Sequence, residues 1–309
     1  MADLTFAAGV MGLEIVVLII GFGYATFRDL QVREVDDLIW RLMAIVGAAA
    51  GAILVLPLGA TALILWVLVS GVLLEHLFPW DIALEERSRL PAWIVELIIY
   101  ASVGGLLLVI ALKGGGAGLS DVARAAAVYL SVVLARGLFE ARVLYGGADA
   151  KALMVAGILV PFFPHPVLSL PTSATLILSA LPFSLTVVVD AALLSIVVPI
   201  YLGLRNVARG EFELARGFTS FRIPVAELPE RYVWLRDPTF LSGPQAEEAE
   251  VETSEEDRAL RQRQAEQLRA LGVERVWVTP QLPFLLFLAL GAGAALLAGN
   301  LLVDILALL

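Results

Sequence analysis

Long apolar stretches, separated by short polar segments, run through most of the chain. Three of them, Leu42–Leu74, Ala152–Val189 and Val276–Val303, contain no Asp, Glu, Lys or Arg. A helix needs roughly 20 apolar residues to cross a bilayer, and these runs lack the alternating polarity of barrel strands. The pattern therefore predicts an all-α integral membrane protein with about eight transmembrane helices. The predicted spans are residues 4–27, 38–57, 59–77, 92–112, 120–141, 150–164, 182–204 and 281–306.

The region around the sixth predicted span departs from this simple pattern. The span is short, so we expect a tilted or partly buried helix. Residues 165–181, which follow it, are apolar but interrupted by Pro166 and Pro171. Because proline interrupts regular helices, this segment is expected to form a re-entrant or interfacial connection.

A polar segment before the last span divides the chain into three predicted parts. Residues 1–205 are expected to form a transmembrane bundle, residues 206–279 a cytoplasmic segment, and residues 280–309 the final transmembrane helix. The alternation of polar and apolar stretches thus places a small extramembrane element just before the end of the chain.

The cytoplasmic segment is predicted to be a small α+β element. Ser254-Glu255-Glu256-Asp257 is typical of a helix start, with a side-chain cap and an acidic first turn, and Gly272 is expected to stop the helix. Val273–Val278 alternates and is rich in β-branched residues, which predicts a short strand. Residues 244–252 are acidic and expected to be mobile.

Composition narrows the possible chemistry. Hydrophobic residues make up 60% of the chain and its mean hydropathy is +0.88, as expected of a membrane protein. The absence of cysteine excludes thiolate zinc sites and a cysteine nucleophile, and two histidines make a histidine metal site or a Ser–His triad improbable. We therefore expect no cofactor, and catalysis by carboxylates, hydroxyls, Lys or Arg. The net charge of −9 disfavours nucleic acid as a partner.

Basic residues next to the predicted spans indicate the orientation in the membrane. Positively charged loops face the cytoplasm, and one set of loops is much richer in Arg and Lys than the other. The opposite set offers only Lys113 and Arg124. The rich set, which we therefore assign to the cytoplasm, contains Arg28, Arg33, Arg41, Arg87, Arg89, Arg136, Arg142, Lys151, Arg205 and Arg209.

Two polar segments each place an aspartate at a predicted membrane surface. Phe27–Asp37 contains Asp29, and Tyr145–Lys151 contains Asp149. Four predicted spans separate the two aspartates, an even number, so both are expected on the cytoplasmic face, where they can meet. Two carboxylates that share one proton are the working groups of an aspartic protease.

Each of these residues also has a simpler structural interpretation. Asp149 precedes an apolar helix and could be its N-cap, while Gly146 and Gly147 could let the backbone come close to a substrate or adopt a positive φ. Asp29 could be an interfacial charge that pairs with Arg33 if the helix continues beyond the membrane. Lys151 could support Asp149 or serve as a basic anchor at the cytoplasmic surface.

Together these motifs resemble a known family. The pattern Asp29-(x)3-Arg33-x-Val35 and the run Gly146-Gly147-Ala148-Asp149-Ala150-Lys151-Ala152-Leu153 resemble the archaeal type IV prepilin/preflagellin peptidases, which are GxGD-type aspartic membrane proteases. Val276–Phe284 is similar to the family's segment entering the last span. The motif's third glycine is Ala148 here, which the archaeal branch tolerates.

The resemblance implies a function and a partner. It implies that Asp29 and Asp149 are the catalytic pair, in a cell-membrane enzyme whose active site faces the cytoplasm. It also implies the substrate, a pilin or archaellin precursor with a basic leader followed by a hydrophobic helix. The chain departs from the family in having four predicted spans between the aspartates, which suggests an inserted helical hairpin.

Other functions stay open at the level of sequence. Asp190 lies inside the seventh predicted span, where a buried acid is either functional or hydrogen-bonded to a neighbouring helix. With Glu14 and Glu96 it could form the proton relay of a transporter, although no internal repeat supports this alternative. A presenilin-like intramembrane protease would place its first aspartate within a span, and a non-enzymatic scaffold would tolerate loss of either aspartate.

Overall fold

The computed structural model describes residues 2–78, 92–144, 146–162, 181–236 and 254–308. Arg87, Arg89, Tyr145, residues 165–180 of the predicted connection, and the acidic residues 244–252 lie outside these ranges. The described fold is mostly helical, as predicted. Its α-helices are α1 (Ala2–Val32), α2 (Asp37–Val55), α3 (Ala60–Leu77), α4 (Ala92–Lys113), α5 (Gly115–Glu140), α6 (Gly147–Leu159), α7 (Phe183–Ser195), α8 (Val197–Ala208), α9 (Ser254–Ala270), α10 (Phe284–Leu297) and α11 (Leu301–Leu308).

Six helical segments of the described residues are long and apolar enough to cross a membrane. The protein is therefore a multi-pass membrane protein, but the predicted count of eight spans is not confirmed. The predicted sixth span corresponds to α6, which has only 13 residues, and the eighth to α10, with 14 residues, and the separate α11. The six segments are Thr5–Val32, Asp37–Leu58, Ala60–Leu77, Ile94–Lys113, Val122–Glu140 and Phe183–Ala208.

A break divides the predicted last span into α10 and α11. The chain leaves α10 through Gly299, whose φ of 108° is unfavourable for residues with a side chain. Asn300 then accepts a hydrogen bond from the backbone N–H of Val303 at 3.3 Å, which caps the start of α11. The run from Val276 to Val303 contains no charged residue, and the single Asn300 changes the mean hydropathy of so long a run only slightly, so the sequence pattern did not indicate this break.

The short helix α6 forms the centre of the bundle. It is rich in alanine and glycine, and its residues from Asp149 to Leu159 are buried except for Lys151. Small residues allow the close approach of neighbouring helices within a membrane. Gly47 of α2 lies against Ile158, and an added Cβ at Gly157 would overlap the side chain of Ser131 in α5. The burial of α6 agrees with the expectation of a partly buried short helix.

The described chain divides into two compact units. The first contains residues 1–27, 35–193 and 284–309, and the second contains Arg28–Glu34 together with Leu194–Pro283. The second unit therefore combines the end of α1 and the helix α8, most of which belongs to the predicted seventh span, with the region predicted to be extramembrane.

The second unit contains a three-stranded antiparallel sheet with the strand order β1-β3-β2. Its apolar side chains, including Ile223, Leu228 and Val278, pack with Leu268 of α9 into a separate core. The predicted helix, its end at Gly272 and the strand near Val276 are confirmed. The other two strands were not predicted, because they have only four and three residues. The strands are β1 (Phe221–Pro224), β2 (Val233–Leu235) and β3 (Arg275–Pro280).

Candidate active site

Asp149 lies in the first turn of α6 and is nine-tenths buried. The helix cap is Gly146, with φ −91° and ψ 127°, so the predicted role of Asp149 as the N-cap is wrong. Gly146 has an extended backbone, and the helix begins at the next residue, Gly147, two residues before Asp149. The carboxylate still lies where the N-terminal dipole of a helix stabilises negative charge.

The two glycines of the motif differ in their surroundings. A Cβ added to Gly146 would lie 2.9 Å from Oδ2 of Asp149, closer than real Cβ contacts permit. A Cβ added to Gly147 would meet no atom within 4 Å. Neither glycine has a positive φ, so that part of the prediction is wrong. Close approach of the backbone to a substrate stays a prediction, while Gly146 itself lies against the Asp149 carboxylate.

Lys151 binds an acidic side chain from another helix. Its Nζ lies 2.6 Å from Oδ1 of Asp37, the first residue of α2. Asp37 is also 3.7 Å from Arg41, whose Nε donates to the carbonyl of Leu77 at 2.7 Å. This network ties the turn that carries Asp149 to the start of α2 and the end of α3. Asp37 was not predicted to be part of the site, and its separation of 114 residues from Lys151 gave no local signal.

Asp29 lies in the last turn of α1 and is half-buried. Its carbonyl accepts a hydrogen bond from the N–H of Arg33 at 3.0 Å, and Arg33 takes a left-handed φ of 59°. This arrangement is a common helix end, in which the residue after the last turn closes it. The helix stops at Val32, so the continuing helix on which this pairing was predicted is absent, although the positive charge of Arg33 still acts on the Asp29 carboxylate.

The guanidinium of Arg33 instead lies over an aromatic ring. It is 5.0 Å from the ring centroid of Tyr232, and Arg261 of α9 is 5.5 Å from the same centroid. Both contacts lie within the second unit. The turn after Asp29 is thus held by the cation–π contact of Arg33 with Tyr232, inside the unit that contains the small sheet.

Asp29 and Asp149 belong to different compact units, so their meeting stays a prediction. Each is nevertheless placed at the end of a helix, as the sequence predicted, with Asp29 at the end of α1 and Asp149 at the start of α6. Ala148, the residue that replaces the motif's third glycine, is half-buried in the same first turn of α6.

The other acids singled out in the sequence have structural partners. Asp190 is fully buried, and its Oδ1 accepts a hydrogen bond from the N–H of Leu301 at 2.9 Å, at the start of α11. This matches the alternative of a hydrogen bond to a neighbouring helix.

Glu14 and Glu96 are each paired with an arginine. Glu14 lies 3.0 Å from Arg124, and Glu96 lies 3.4 Å from Arg136. Such pairing explains how these acids are accommodated within apolar helices. Among the described residues, no group of three or more His, Asp and Glu side chains could hold a metal ion.

Comparison with known proteins identifies a relative. The chain is 31% identical over 156 residues to the preflagellin peptidase of Methanocaldococcus jannaschii, in a match that covers 48% of this chain. This match confirms the resemblance to preflagellin peptidases. The chain spans 60% of the length of that relative, so what the relative acts on is not thereby established for this protein. No protein-family model matches the chain.

Proposed function

We propose that this protein is an aspartic endopeptidase that removes the leader peptide from type IV pilin-like or archaellin precursors. The observation that carries the proposal is the position of Asp149, a buried carboxylate held against Gly146 in the first turn of α6. The similarity to preflagellin peptidase, which is a protease, supports the same reaction class.

In this proposal Asp29 and Asp149 share one proton. One carboxylate takes a proton from the attacking water while the other, protonated, polarises the carbonyl of the scissile peptide bond. The proton then passes to the leaving amine, so the pair is restored with its single proton. The polar segments on which both residues lie would give water access that the centre of a membrane does not.

The remaining motif residues have positioning roles in this proposal. Gly146 leaves space for the Asp149 carboxylate, and Lys151 fixes the start of α6 through Asp37. Arg33 closes the turn after Asp29 and holds it to Tyr232. Gly147 and Ala148 complete the first turn of α6 without a bulky side chain.

The proposed topology places both aspartates at the cytoplasmic face of the cell membrane. The loops that contain Asp29 and Asp149 belong to the set with many more Arg and Lys residues than the opposite set, which supports this orientation. Residues 206–279 would then form the cytoplasmic segment between the bundle of residues 1–205 and the final helical region. The leader of a precursor is basic and cytoplasmic, so cleavage would occur at the inner membrane surface.

Replacement of each aspartate tests the proposal. Membranes containing the protein are mixed with a pilin or archaellin precursor, and cleavage is compared for wild type, Asp29→Asn and Asp149→Asn. Each substitution is expected to abolish cleavage while the protein still inserts. Asp190→Asn is the matched control, since its amide oxygen can still accept the hydrogen bond from Leu301, and it is expected to retain substantial activity. Normal cleavage by either of the first two variants would rule the pair out.

A further inference from the structure

A lateral apolar groove opens between α1 and α10, within the first compact unit. It has a volume of about 260 Å³ and is lined by residues of these two helices. Phe22 lies at its base, buried to 98%, while Ile19 and Leu290 at its edges are half or more exposed. Because both helices are apolar, this groove opens towards the hydrocarbon region of the membrane.

Two glycines leave the groove open. Gly23 of α1 and Gly293 of α10 both line it, and a Cβ added to either residue would meet no atom within 4 Å. By contrast, Gly21 of α1 and Gly291 of α10 are in close contact with the protein's own atoms, Met43 and the backbone of α7 respectively. The glycines of the groove therefore leave space that no described part of the protein fills. Small residues of this kind let another helix approach closely in a membrane.

A polar side chain in the groove has no hydrogen-bond partner within the described part of the chain. Thr26 lines it and is only 7% exposed, yet its hydroxyl oxygen finds no hydrogen-bond partner among the described residues. A threonine inside a helix ordinarily bonds to the carbonyl one turn earlier. A buried hydroxyl without a partner is unfavourable, so the groove is suited to an occupant that supplies a polar group at this position.

Thr26 lies close to Asp29 in the helix. The two residues are three apart in α1, so they share one face of it, with Thr26 one turn before the proposed catalytic carboxylate. Immediately beyond the groove, residues 28–37 carry four acidic and two basic side chains, a net charge of −2. An apolar groove, an unpartnered hydroxyl and an acidic turn thus follow one another along the chain.

We propose that this groove binds the hydrophobic helix of the precursor, with the peptide next to the cleavage site accepting or donating a hydrogen bond at Thr26. The inference rests on the proposed function and adds the surface that recognises the substrate. The acidic turn lies next to the apolar groove, as the basic leader of the precursor lies next to its apolar helix. The leader would therefore face opposite charge while the helix lies in the groove. A backbone must leave helical geometry to be cleaved, and the carbonyl and N–H groups that it then exposes are partners for the Thr26 hydroxyl. A lipid acyl chain could fill the apolar part but would leave that hydroxyl unpaired.

Filling the groove tests this inference. Gly23→Leu and Gly293→Leu each place a side chain into its open space, and we expect kcat/KM for the full precursor to fall on the order of tenfold or more through lost helix contact. Gly12→Leu is the matched control, since Gly12 lies on the same helix, is exposed, meets no atom within 4 Å of an added Cβ, and does not line the groove. Cleavage of a short leader peptide without the hydrophobic helix should be equal in all these variants.

Thr26 allows a second, independent test. Thr26→Val keeps the shape but removes the hydroxyl, so thermal stability should be unchanged or slightly higher, because the hydroxyl has no partner in the free protein. Cleavage of the precursor should nevertheless fall several-fold, and Thr26→Ser should restore it. A loss of stability with unchanged cleavage would show that Thr26 has only a structural role.

Crosslinking identifies the occupant directly. A photoreactive residue replaces Leu290, or Leu13 as the exposed control outside the groove, in the inactive Asp149→Asn background. Precursor crosslinked at position 290 and not at position 13 supports the inference; only lipid at position 290 overturns it. If wild type cleaves the precursor but Gly23→Leu behaves as Gly12→Leu, the groove is not the docking site and the proposed function stands. If wild type fails to cleave it, the proposed function itself is wrong.

Discussion

The ammonium group of Lys151 lies 2.6 Å from the carboxylate of Asp37, which joins the start of α6 to the start of α2. Lys151 comes two residues after Asp149, so this ion pair fixes the turn that carries the proposed catalytic carboxylate. Both side chains are partly exposed, at 27% and 40%. Solvent therefore screens the pair, and its role is expected to be in position more than in stability.

Loss of this ion pair should affect catalysis more than folding. Lys151→Gln and Asp37→Asn are each expected to lower the free energy of unfolding by less than about 1 kcal/mol, as is usual for exposed pairs. Each should lower kcat several-fold because the first turn of α6 is less firmly held. The double variant should be no worse than either single one, which a double-mutant cycle on both quantities would measure. Additive losses would mean that the two residues act separately.

Gly146 should be far more sensitive to substitution than its neighbour. Gly146→Ala would place a Cβ against Oδ2 of Asp149 and force the carboxylate to move, so kcat is expected to fall by about tenfold to a hundredfold. Gly147→Ala adds the same methyl group to open space and should leave kcat near that of wild type. Steady-state cleavage kinetics of the two variants provide the comparison. Equal effects would show that the Asp149 carboxylate is not confined by Gly146.

The buried pair of Glu14 and Arg124 is expected to be structural. Glu14 is only 2% exposed, and Arg124 also lies over the ring of Trp66 at 5.6 Å, so the pair joins α1, α3 and α5. Removing one charge leaves the other buried without its partner, which costs about 3–5 kcal/mol. We expect Glu14→Leu and Arg124→Leu each to destabilise the protein in thermal unfolding.

The double variant separates this role from that of a proton relay. Glu14→Leu with Arg124→Leu removes both charges, so it should recover much of the lost stability. It should also cleave precursor at close to the wild-type rate. A stable double variant that is inactive would instead favour a functional acid at position 14.

Asp190 should matter as a hydrogen-bond acceptor. Asp190→Leu would leave the N–H of Leu301 without its partner and is expected to cost about 1–3 kcal/mol of unfolding free energy. Asp190→Asn keeps an acceptor oxygen and should cost less. Chemical unfolding in detergent micelles measures both. If Asn proved as damaging as Leu, the negative charge itself would be required.

Sequence patterns predicted the elements whose signals are local. The acidic turn after Ser254, the stop at Gly272 and the alternating strand near Val276 are encoded within a few residues each, and the structure contains all three. The position of Asp149 at the start of an apolar helix was likewise visible, although the cap itself is Gly146.

The elements that were missed depend on distant residues. Lys151 meets Asp37 across 114 positions, and Asp190 meets Leu301 across 111, so no periodicity could reveal either contact. The division of the last span follows from a backbone turn at Gly299 within a run that contains no charged residue. The groove beside Gly23 was also hidden, because a glycine that leaves space and one that is packed look alike in a sequence.

The contact between Arg33 and Tyr232 ties the small sheet's unit to the last turn of α1. A change in α9, such as one that weakens its contact with Tyr232, would thus alter the position of the turn after Asp29 without altering either aspartate. Variation in the second unit would in this way change the turnover expected of the proposed site without altering the aspartates themselves.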